Sequence, residues 1–262
     1  MDTQRLSQTV QPLLDWYRGH ARALPWRADR EPYHVWLSEI MLQQTRVEAV
    51  RGYYARFLAA APDVFALAAL PEAQLLKLWE GLGYYSRVRN MQAAAGQIVK
   101  RGGFPQTAEE LKKLKGFGDY TAGAVASIAF AQRAAAVDGN VLRVWTRMER
   151  VGESIKIPSV KRACTRAVLE AMPEEADPGQ YNQALMELGA TVCTPRSPDC
   201  AHCPVQAHCG AFAADEAEDY PVKDPKPVKA VEEFDVYLIV KDGRALVRKR
   251  PKSGLLAGLW EF

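Results

Sequence analysis

Four of the five cysteines of the chain lie in one short stretch with the spacing C-x6-C-x2-C-x5-C. They are Cys193, Cys200, Cys203 and Cys209. Four thiolates in one loop suit either a structural zinc ion or an iron–sulfur cluster. Structural zinc usually takes paired C-x2-C knuckles, and only Cys200 and Cys203 form such a knuckle here. The uneven spacing therefore favours an iron–sulfur cluster over zinc.

Two carboxylates could perform acid–base chemistry if the fold brings them together. Glu39 stands among apolar residues in WLSEIMLQQT, where burial would raise the pKa of its carboxyl and make it a proton donor. The alternative is a Glu39 that points to solvent, as most helical glutamates do. Asp138 in AAAVDGNVLRV is either a simple N-cap or an ionised carboxylate held at a helix N-terminus. One acid and one anion together are what hydrolysis of a glycosidic bond requires.

A Gly-x-Gly turn offers a further binding feature. In LKGFGDYTAGAV, the glycines Gly116 and Gly118 predict a tight turn between a helix that ends at Lys115 and one that begins near Tyr120. Exposed backbone N–H groups beside a helix N-terminus form an anion site that fits a phosphate. The alternative interpretation is a turn that serves packing alone.

The composition is that of a soluble globular protein. The chain has 262 residues, of which 48% are hydrophobic and 25% charged, and its net charge of +3 permits a nucleic-acid partner without requiring one. No apolar stretch is long enough to span a bilayer, and the N-terminus lacks the apolar core of a signal peptide. We therefore expect a cytosolic protein whose clustered cysteines bind a metal cofactor instead of forming disulfides.

The elements that must position these residues are predicted to be helices up to about residue 210, where apolar residues recur at three- and four-residue spacing. Thr107 and Glu110 predict a capping box at one helix start. The charged, proline-bearing segment Asp215–Ala230 predicts a linker. Beyond it, EFDVYLIVKDGRALVRKR predicts two strands around a KDGR turn. About thirty residues are too few for a core of their own, so we interpret them as the beginning of a second domain.

Taken together, these motifs resemble the endonuclease III superfamily of helix-hairpin-helix DNA glycosylases, and within it the adenine DNA glycosylases known as MutY. The resemblance covers residues from about 10 to 210. It is carried by the four-cysteine loop and by LPWR, SEIMLQQTRV, GLGYYSRVRN, LKGFGDYTAGAVASIAF, VDGNVLRV and NQALMELGATVC. The hairpin of that family usually has proline where this chain has Lys115, which makes the turn less rigid but leaves both glycines in place.

The resemblance implies an all-α fold of two helical domains with the catalytic cleft between them. It places residues 1–24 and 131–212 in a domain that carries a mainly structural [4Fe–4S] cluster. Residues 25–130 would form a six-helix bundle with the helix-hairpin-helix, and residues 213–230 a linker. Residues 231–262 resemble the start of a Nudix-like α/β domain that recognises 8-oxoguanine, since GLLAGLWEF matches its signature.

The resemblance also implies four catalytic residues. Glu39 matches the residue that protonates the adenine ring at N7, which makes the base a leaving group. Asp138 matches the carboxylate that stabilises or covalently traps the sugar cation. Asn140 and Tyr120 match residues that lie beside that aspartate.

Further residues are implied to contact the DNA or the cofactor. The adenine pocket would take Arg22, Trp26, Leu42 and Gln183. The face toward the opposing oxidised guanine would take Gln44, Thr45 and Leu82, and Tyr84 would be a wedge inserted into the base stack, although GYY could equally be core packing. The DNA backbone would be met by Gly116, Gly118, Arg87, Arg89 and Arg196, and the cluster ligands would be Cys193, Cys200, Cys203 and Cys209.

The function implied by the resemblance is DNA repair. A monomeric, monofunctional glycosylase would flip out adenine mispaired with 8-oxoguanine or guanine in double-stranded DNA and hydrolyse its glycosidic bond. The expected location is the cytoplasm of a bacterium, at the nucleoid, with no membrane partner. A bifunctional pyrimidine glycosylase and lyase would need a nucleophilic lysine where Tyr120 stands. A ferredoxin-like carrier would be small and acidic, and a catalytically inactive damage sensor would not need both Glu39 and Asp138.

Overall fold

The computed structural model describes residues 4–172, 174–222, 231, 233, 235–251, 254 and 256–262. Residues 223–230 of the predicted linker lie outside the described residues. The helices are α1 (Gln4–Gln8), α2 (Val10–His20), α3 (Pro32–Leu42), α4 (Val47–Ala60), α5 (Val64–Ala69), α6 (Glu72–Trp79), α7 (Ser86–Arg101), α8 (Ala108–Leu111), α9 (Asp119–Phe130), α10 (Gly139–Glu149), α11 (Pro158–Ala171), α12 (Pro178–Thr191) and α13 (Gly210–Ala213). Short 3-10 helices span Pro25–Arg27, Cys200–His202 and Gln206–His208. The predicted all-α class is confirmed.

The first hydrophobic core is formed by side chains between residues 24 and 136. Helix α3 begins with proline at its first turn, which suits a position whose N–H would lack a partner. Nearly every later residue of α3 is buried, and the helix packs against α9. Trp36 stacks on Phe117 with ring centroids 5.1 Å apart. Burial of such large side chains contributes about 1.5–3 kcal/mol each, so α3 is fixed on all sides.

The second hydrophobic core joins the N-terminal helices to the later ones, with residues 6–17 and 137–205 in one cluster. Helix α12 contacts α9 of the first core as well as α2 and α10 of the second. The carboxylate of Asp177 caps α12 by accepting hydrogen bonds from the N–H groups of Gly179 and Gln180. The boundary between the cores therefore runs along α12. The bounds of the two helical domains given above stay a prediction.

The turn between α8 and α9 differs from its prediction. Helix α8 ends at Leu111 instead of Lys115, and turns connect it to α9. Gly116 has φ +80°, and a Cβ there would lie 2.7 Å from Cβ of Asn90, so glycine is required on both grounds. Gly118 has φ −93° and forms the extended N-cap of α9, so its backbone does not need the conformational freedom of glycine. Thr107 does cap α8, accepting from the N–H of Glu110.

The C-terminal residues form small sheets. Strands β1 (Val240–Lys241) and β2 (Arg244–Ala245) pair antiparallel around Asp242 and Gly243, both at positive φ. Such a two-residue turn matches the twist of its flanking strands, and it confirms the predicted hairpin. Strands β3 (Arg248–Lys249) and β4 (Trp260–Glu261) also pair antiparallel. Within the described part of the chain, no helix has the length and apolar character needed to cross a membrane.

Candidate active site

A cavity of about 720 Å³ opens where the two cores meet. It is lined by the C-terminal end of α3, the N-terminal ends of α9 and α10, and the middle of α12. Ten of the residues singled out from the sequence line it, namely Arg22, Trp26, Glu39, Leu42, Gln44, Thr45, Tyr120, Asp138, Asn140 and Gln183. Residues from the two halves of the chain therefore meet in one place large enough for a nucleobase and sugar.

Glu39 is buried on α3, with 8% of its surface exposed. Its carboxyl accepts a hydrogen bond from the Tyr120 hydroxyl, which also lies 3.3 Å from Sδ of Met186. Burial raises the pKa of Glu39 to about 7, an effect that the Tyr120 hydrogen bond opposes and the nearby charge of Asp138 reinforces. Burial also raises the pKa of Tyr120 well above its usual value, so the phenol stays a donor. Glu39 can thus carry a proton near neutral pH.

Asp138 occupies the N-cap of α10, facing the same cavity. Its Oδ1 accepts from the N–H of Val141 at 2.8 Å, and its Oδ2 accepts from Nδ2 of Asn140 at 2.7 Å. Burial raises the pKa of Asp138, while these hydrogen bonds and the charge of Arg143 lower it. The N-cap and the functional interpretations of Asp138 are therefore compatible, because the donors that cap the helix also stabilise an anion at its N-terminus.

Asn140 is held from both sides. Its side-chain oxygen accepts from Nη2 of Arg143 at 2.8 Å, and the same Nη2 donates to the carbonyl of Gly189. A Cβ at Gly189 would lie 2.6 Å from Cβ of Asn140, so only glycine allows α12 to approach α10 this closely. Nε of Arg143 donates to the carbonyl of Cys193 at 2.7 Å. Hydrogen bonds thus connect the cavity to the cysteine loop.

The lining of the same cavity contains a carboxylate that the sequence analysis missed. Glu187 on α12 is fully buried, and its oxygens accept from Nε and Nη2 of Arg22, at 2.6 and 2.9 Å, and from Nη2 of Arg27 at 2.8 Å. Burial alone would raise the pKa of Glu187, but these hydrogen bonds outweigh it and bring the pKa to about 2. The signal available in the sequence was an acid between Met186 and Leu188, the pattern that marked Glu39.

The two loops predicted to face DNA lie side by side. Tyr84 is 65% exposed and has φ +46°, and Gln44 is exposed with φ +60°. Leu82 does not fit its predicted place on that face, because it is 7% exposed and packs in the first core. Burial of an apolar side chain such as that of Leu82 lowers the free energy of the folded protein, whereas exposure on the surface does not. The large side chain that this loop exposes is therefore that of Tyr84.

Arg87 also differs from its predicted contact with the DNA backbone. Its guanidinium donates to the carbonyl groups of Ile40 and Gln43, at the end of α3, and to those of Leu82 and Gly83. The side chain is half-buried and lies over the rings of Trp79 and Tyr84. Arg87 is therefore committed to holding the two exposed loops together.

Replacing Arg87 with methionine should loosen both loops, because several carbonyl oxygens would lose their shared donor. We expect a loss of about 1–3 kcal/mol in the free energy of unfolding and faster amide hydrogen exchange at residues 42–45 and 82–85. Urea unfolding and exchange mass spectrometry measure these effects. Arg56→Met, at an arginine over the Tyr53 ring outside these loops, is the matched control. Unchanged exchange in Arg87→Met would contradict the assignment.

Two further arginines, Arg89 and Arg196, were predicted to contact the DNA backbone. Arg89 donates to the Glu72 carboxylate and to the carbonyl of Ala257, so its side chain is engaged within the protein. Arg196 is exposed in the cysteine loop. Of these two arginines, Arg196 keeps the exposure that its predicted role needs, as do Gly116 and Gly118 in the turn before α9.

The four clustered cysteines line one small apolar cavity together with Arg147. Nη1 of Arg147 donates to Sγ of Cys193 at 3.2 Å. Burial raises the pKa of Cys200, Cys203 and Cys209, and their mutual proximity adds to this. No three Cys, His, Asp or Glu side chains of the described residues are placed to share a single metal ion. The thiols surround a common space. A metal cofactor bound there would deprotonate them and stabilise the thiolates.

Comparison with known proteins identifies the family. Residues 37–169 match the model of the HhH-GPD superfamily of base excision DNA repair proteins. An adenine DNA glycosylase of Schizosaccharomyces pombe is 34% identical over 95% of this chain and 68% of its own length. The chain belongs to the adenine DNA glycosylase family of the HhH-GPD superfamily. An adenine DNA glycosylase of Arabidopsis thaliana is 39% identical over 95% of this chain and 46% of its own, so the chain spans about half of that relative.

A solved structure of a thermostable thymine-DNA glycosylase has the same fold. Its TM-score is 0.71 at 25% sequence identity, with 80% of this chain and 98% of the other covered. Residues 193–209 match the iron–sulfur binding domain of endonuclease III. This match decides between the cofactors that the spacing left open, in favour of a [4Fe–4S] cluster.

The purified protein should therefore be brown and contain about four irons per chain. Cys203→Ser should lower the iron content and weaken folding or DNA binding more than it slows chemistry on DNA already bound, because the cofactor lies in a loop outside the cavity. Cys164→Ser is the control, since Cys164 is buried in the second core. Iron analysis and visible absorbance provide the measurement. Stoichiometric zinc without iron would contradict the assignment.

Proposed function

We propose that this chain is a monofunctional adenine DNA glycosylase that acts on adenine opposite 8-oxoguanine or guanine in double-stranded DNA. The observation that carries the proposal is the meeting of Glu39, Tyr120 and Asp138 in one cavity, with the pKa of Glu39 at about 7. One carboxyl that keeps its proton and a second held among N–H donors match the acid and anion needed for an oxocarbenium-like state.

The chemistry begins with a base outside the helix. A nucleobase inside a duplex is unreachable, so adenine must be flipped into the cavity, and the exposed ring of Tyr84 is suited to fill the gap. Glu39 then donates its proton to N7 of adenine, which turns the base into a neutral leaving group. Tyr120 keeps the Glu39 carboxyl oriented through its hydrogen bond.

Asp138 stabilises the positive charge that develops on the sugar as the bond breaks. The donors Val141 and Asn140 fix the orientation of its carboxylate before the reaction, so little reorganisation is needed. Water completes the hydrolysis on the sugar. Glu187, whose oxygens accept from Arg22 and Arg27, holds these two arginines in place in the lining of the cavity. The four cysteines would hold the cofactor, which would support the loop that presents Arg196.

A lysine in the cavity lining is relevant to the alternative function, a bifunctional glycosylase and lyase. Tyr120 cannot form an imine, but Lys161 on α11 also lines the cavity and is exposed. A bifunctional enzyme would use such an amine to attack C1′ of the sugar.

Borohydride trapping during turnover separates the two activities. The proposal expects an intact abasic strand that breaks only after alkali treatment, with trapped protein–DNA adduct far below the amount of base released. Lys161→Met should leave base release unchanged. Trapping that equals base release and disappears in Lys161→Met would overturn the monofunctional assignment while leaving the glycosylase assignment standing.

A further inference from the structure

Arg147 is one of the largest buried side chains of the protein, with 2% of its surface exposed. It lies on α10, beside the cysteine loop. Its hydrogen bonds within the described residues end on the carbonyl groups of Thr194 and Tyr220 and on Sγ of Cys193, and none ends on a carboxylate. A buried charge is costly unless an opposite charge or a full set of hydrogen bonds compensates it.

The hydrogen bonds of Arg147 are incomplete. Among the residues that the structure describes, its Nη2 is buried and has no hydrogen-bond partner. The same side chain lines the small cavity shared by Cys193, Cys200, Cys203 and Cys209. An unpartnered donor and an unpaired cation therefore border the space that the four thiols surround.

A [4Fe–4S] cluster supplies what both groups lack. Its four thiolate ligands bring negative charge, and its sulfurs accept hydrogen bonds that tune the reduction potential. We propose that Arg147 is a positioning residue for this cofactor. Its Nη1 fixes the Cys193 thiolate, its Nη2 donates to a further sulfur of the site, and its charge offsets that of the ligand set.

The proposal predicts the direction in which the reduction potential of the cofactor changes when the charge of Arg147 is removed. Oxidation makes the cofactor more positive, and a fixed guanidinium beside it opposes that change. Removal of the Arg147 charge should therefore make the cofactor easier to oxidise and quicker to degrade. A residue that served only packing would change the unfolding stability but not the reduction potential.

The experiment uses the holoprotein purified without oxygen. Arg147→Met and Arg147→Gln remove the charge, and Arg147→Lys keeps it but removes the planar pair of donors. Arg133→Met is the matched control, since exposed Arg133 donates to the carbonyl of Leu169 outside the cysteine cavity. The readouts are iron content, the midpoint potential, and the rate at which ferricyanide bleaches the visible absorbance.

Both neutral variants should bleach about tenfold faster than the parent protein, the factor that corresponds to roughly 1.4 kcal/mol and to one charged hydrogen bond. Their midpoint potentials should be lower, Arg147→Lys should be intermediate, and Arg133→Met should match the parent. A neutral variant that retains iron and keeps both the parental potential and bleaching rate overturns the proposal. If neither neutral variant retains iron, an Arg147→Lys protein with the parental bleaching rate overturns it.

Discussion

Glu39→Gln is expected to reduce adenine release by about 10²–10⁴-fold, the range typical of a lost general acid. Glutamine keeps the size of the side chain and can still accept the Tyr120 hydrogen bond, but it cannot donate the proton that activates the base. DNA binding should change little, because the substitution removes no contact on the exposed loops. Single-turnover base release and a gel-shift titration measure the two effects separately.

Glu48→Gln is the matched control, because Glu48 lies on α4 with its side chain 83% exposed. Release by this variant should equal that of the parent. Near-parental release by Glu39→Gln would show that the acid lies elsewhere in the cavity.

The pH dependence of the same reaction follows from the raised pKa of Glu39. The acid acts in its protonated form, which predominates below a pKa of about 7 and is lost as the pH rises through it. The single-turnover rate should thus be level on the acid side of that value and fall about tenfold per pH unit on the alkaline side. This decline should be absent from the residual activity of Glu39→Gln.

Asp138→Asn is expected to reduce release by about 10²–10³-fold, the range seen when one charge-stabilising group is lost. The amide oxygen can still accept from the N–H of Val141, so α10 keeps its cap while the cavity loses its anion. The free energy of unfolding should change much less than the rate.

Asp63→Asn separates capping from catalysis. Asp63 caps α5 by accepting from the N–H of Ala66 at 2.8 Å, and it lies outside the cavity. The two variants should therefore have similar stability but very different rates of release. Equal rates of base release in the two variants would show that Asp138 takes no part in the reaction.

The sequence predicted the features that depend on local pattern. The burial of Glu39 follows from the apolar residues around it on α3, and the KDGR hairpin follows from turn chemistry. The cysteine loop is contiguous in the chain, so its spacing alone limited the cofactor to two candidates. Each of these features lies within one segment.

Features that depend on contacts between distant segments were predicted less well. An arginine in the first turn of a helix can face DNA or a neighbouring carbonyl group, and only the approach of α3 to residues 82–83 commits Arg87 to the second. Glu187 was missed because Arg22, its partner, lies 165 residues away. The buried Nη2 of Arg147, which lacks a partner among the described residues, likewise could not be predicted, because its surroundings depend on how α10 packs against the cysteine loop.

The central claim is that this cavity hydrolyses the glycosidic bond of a mispaired adenine. The most direct test is the single-turnover release of free adenine from a duplex with adenine opposite 8-oxoguanine, compared with one in which the same adenine pairs with thymine. The account predicts release from the first duplex, little or none from the second, and loss of release in Glu39→Gln and Asp138→Asn. Equal release from both duplexes, or release of a pyrimidine instead of adenine, would contradict it.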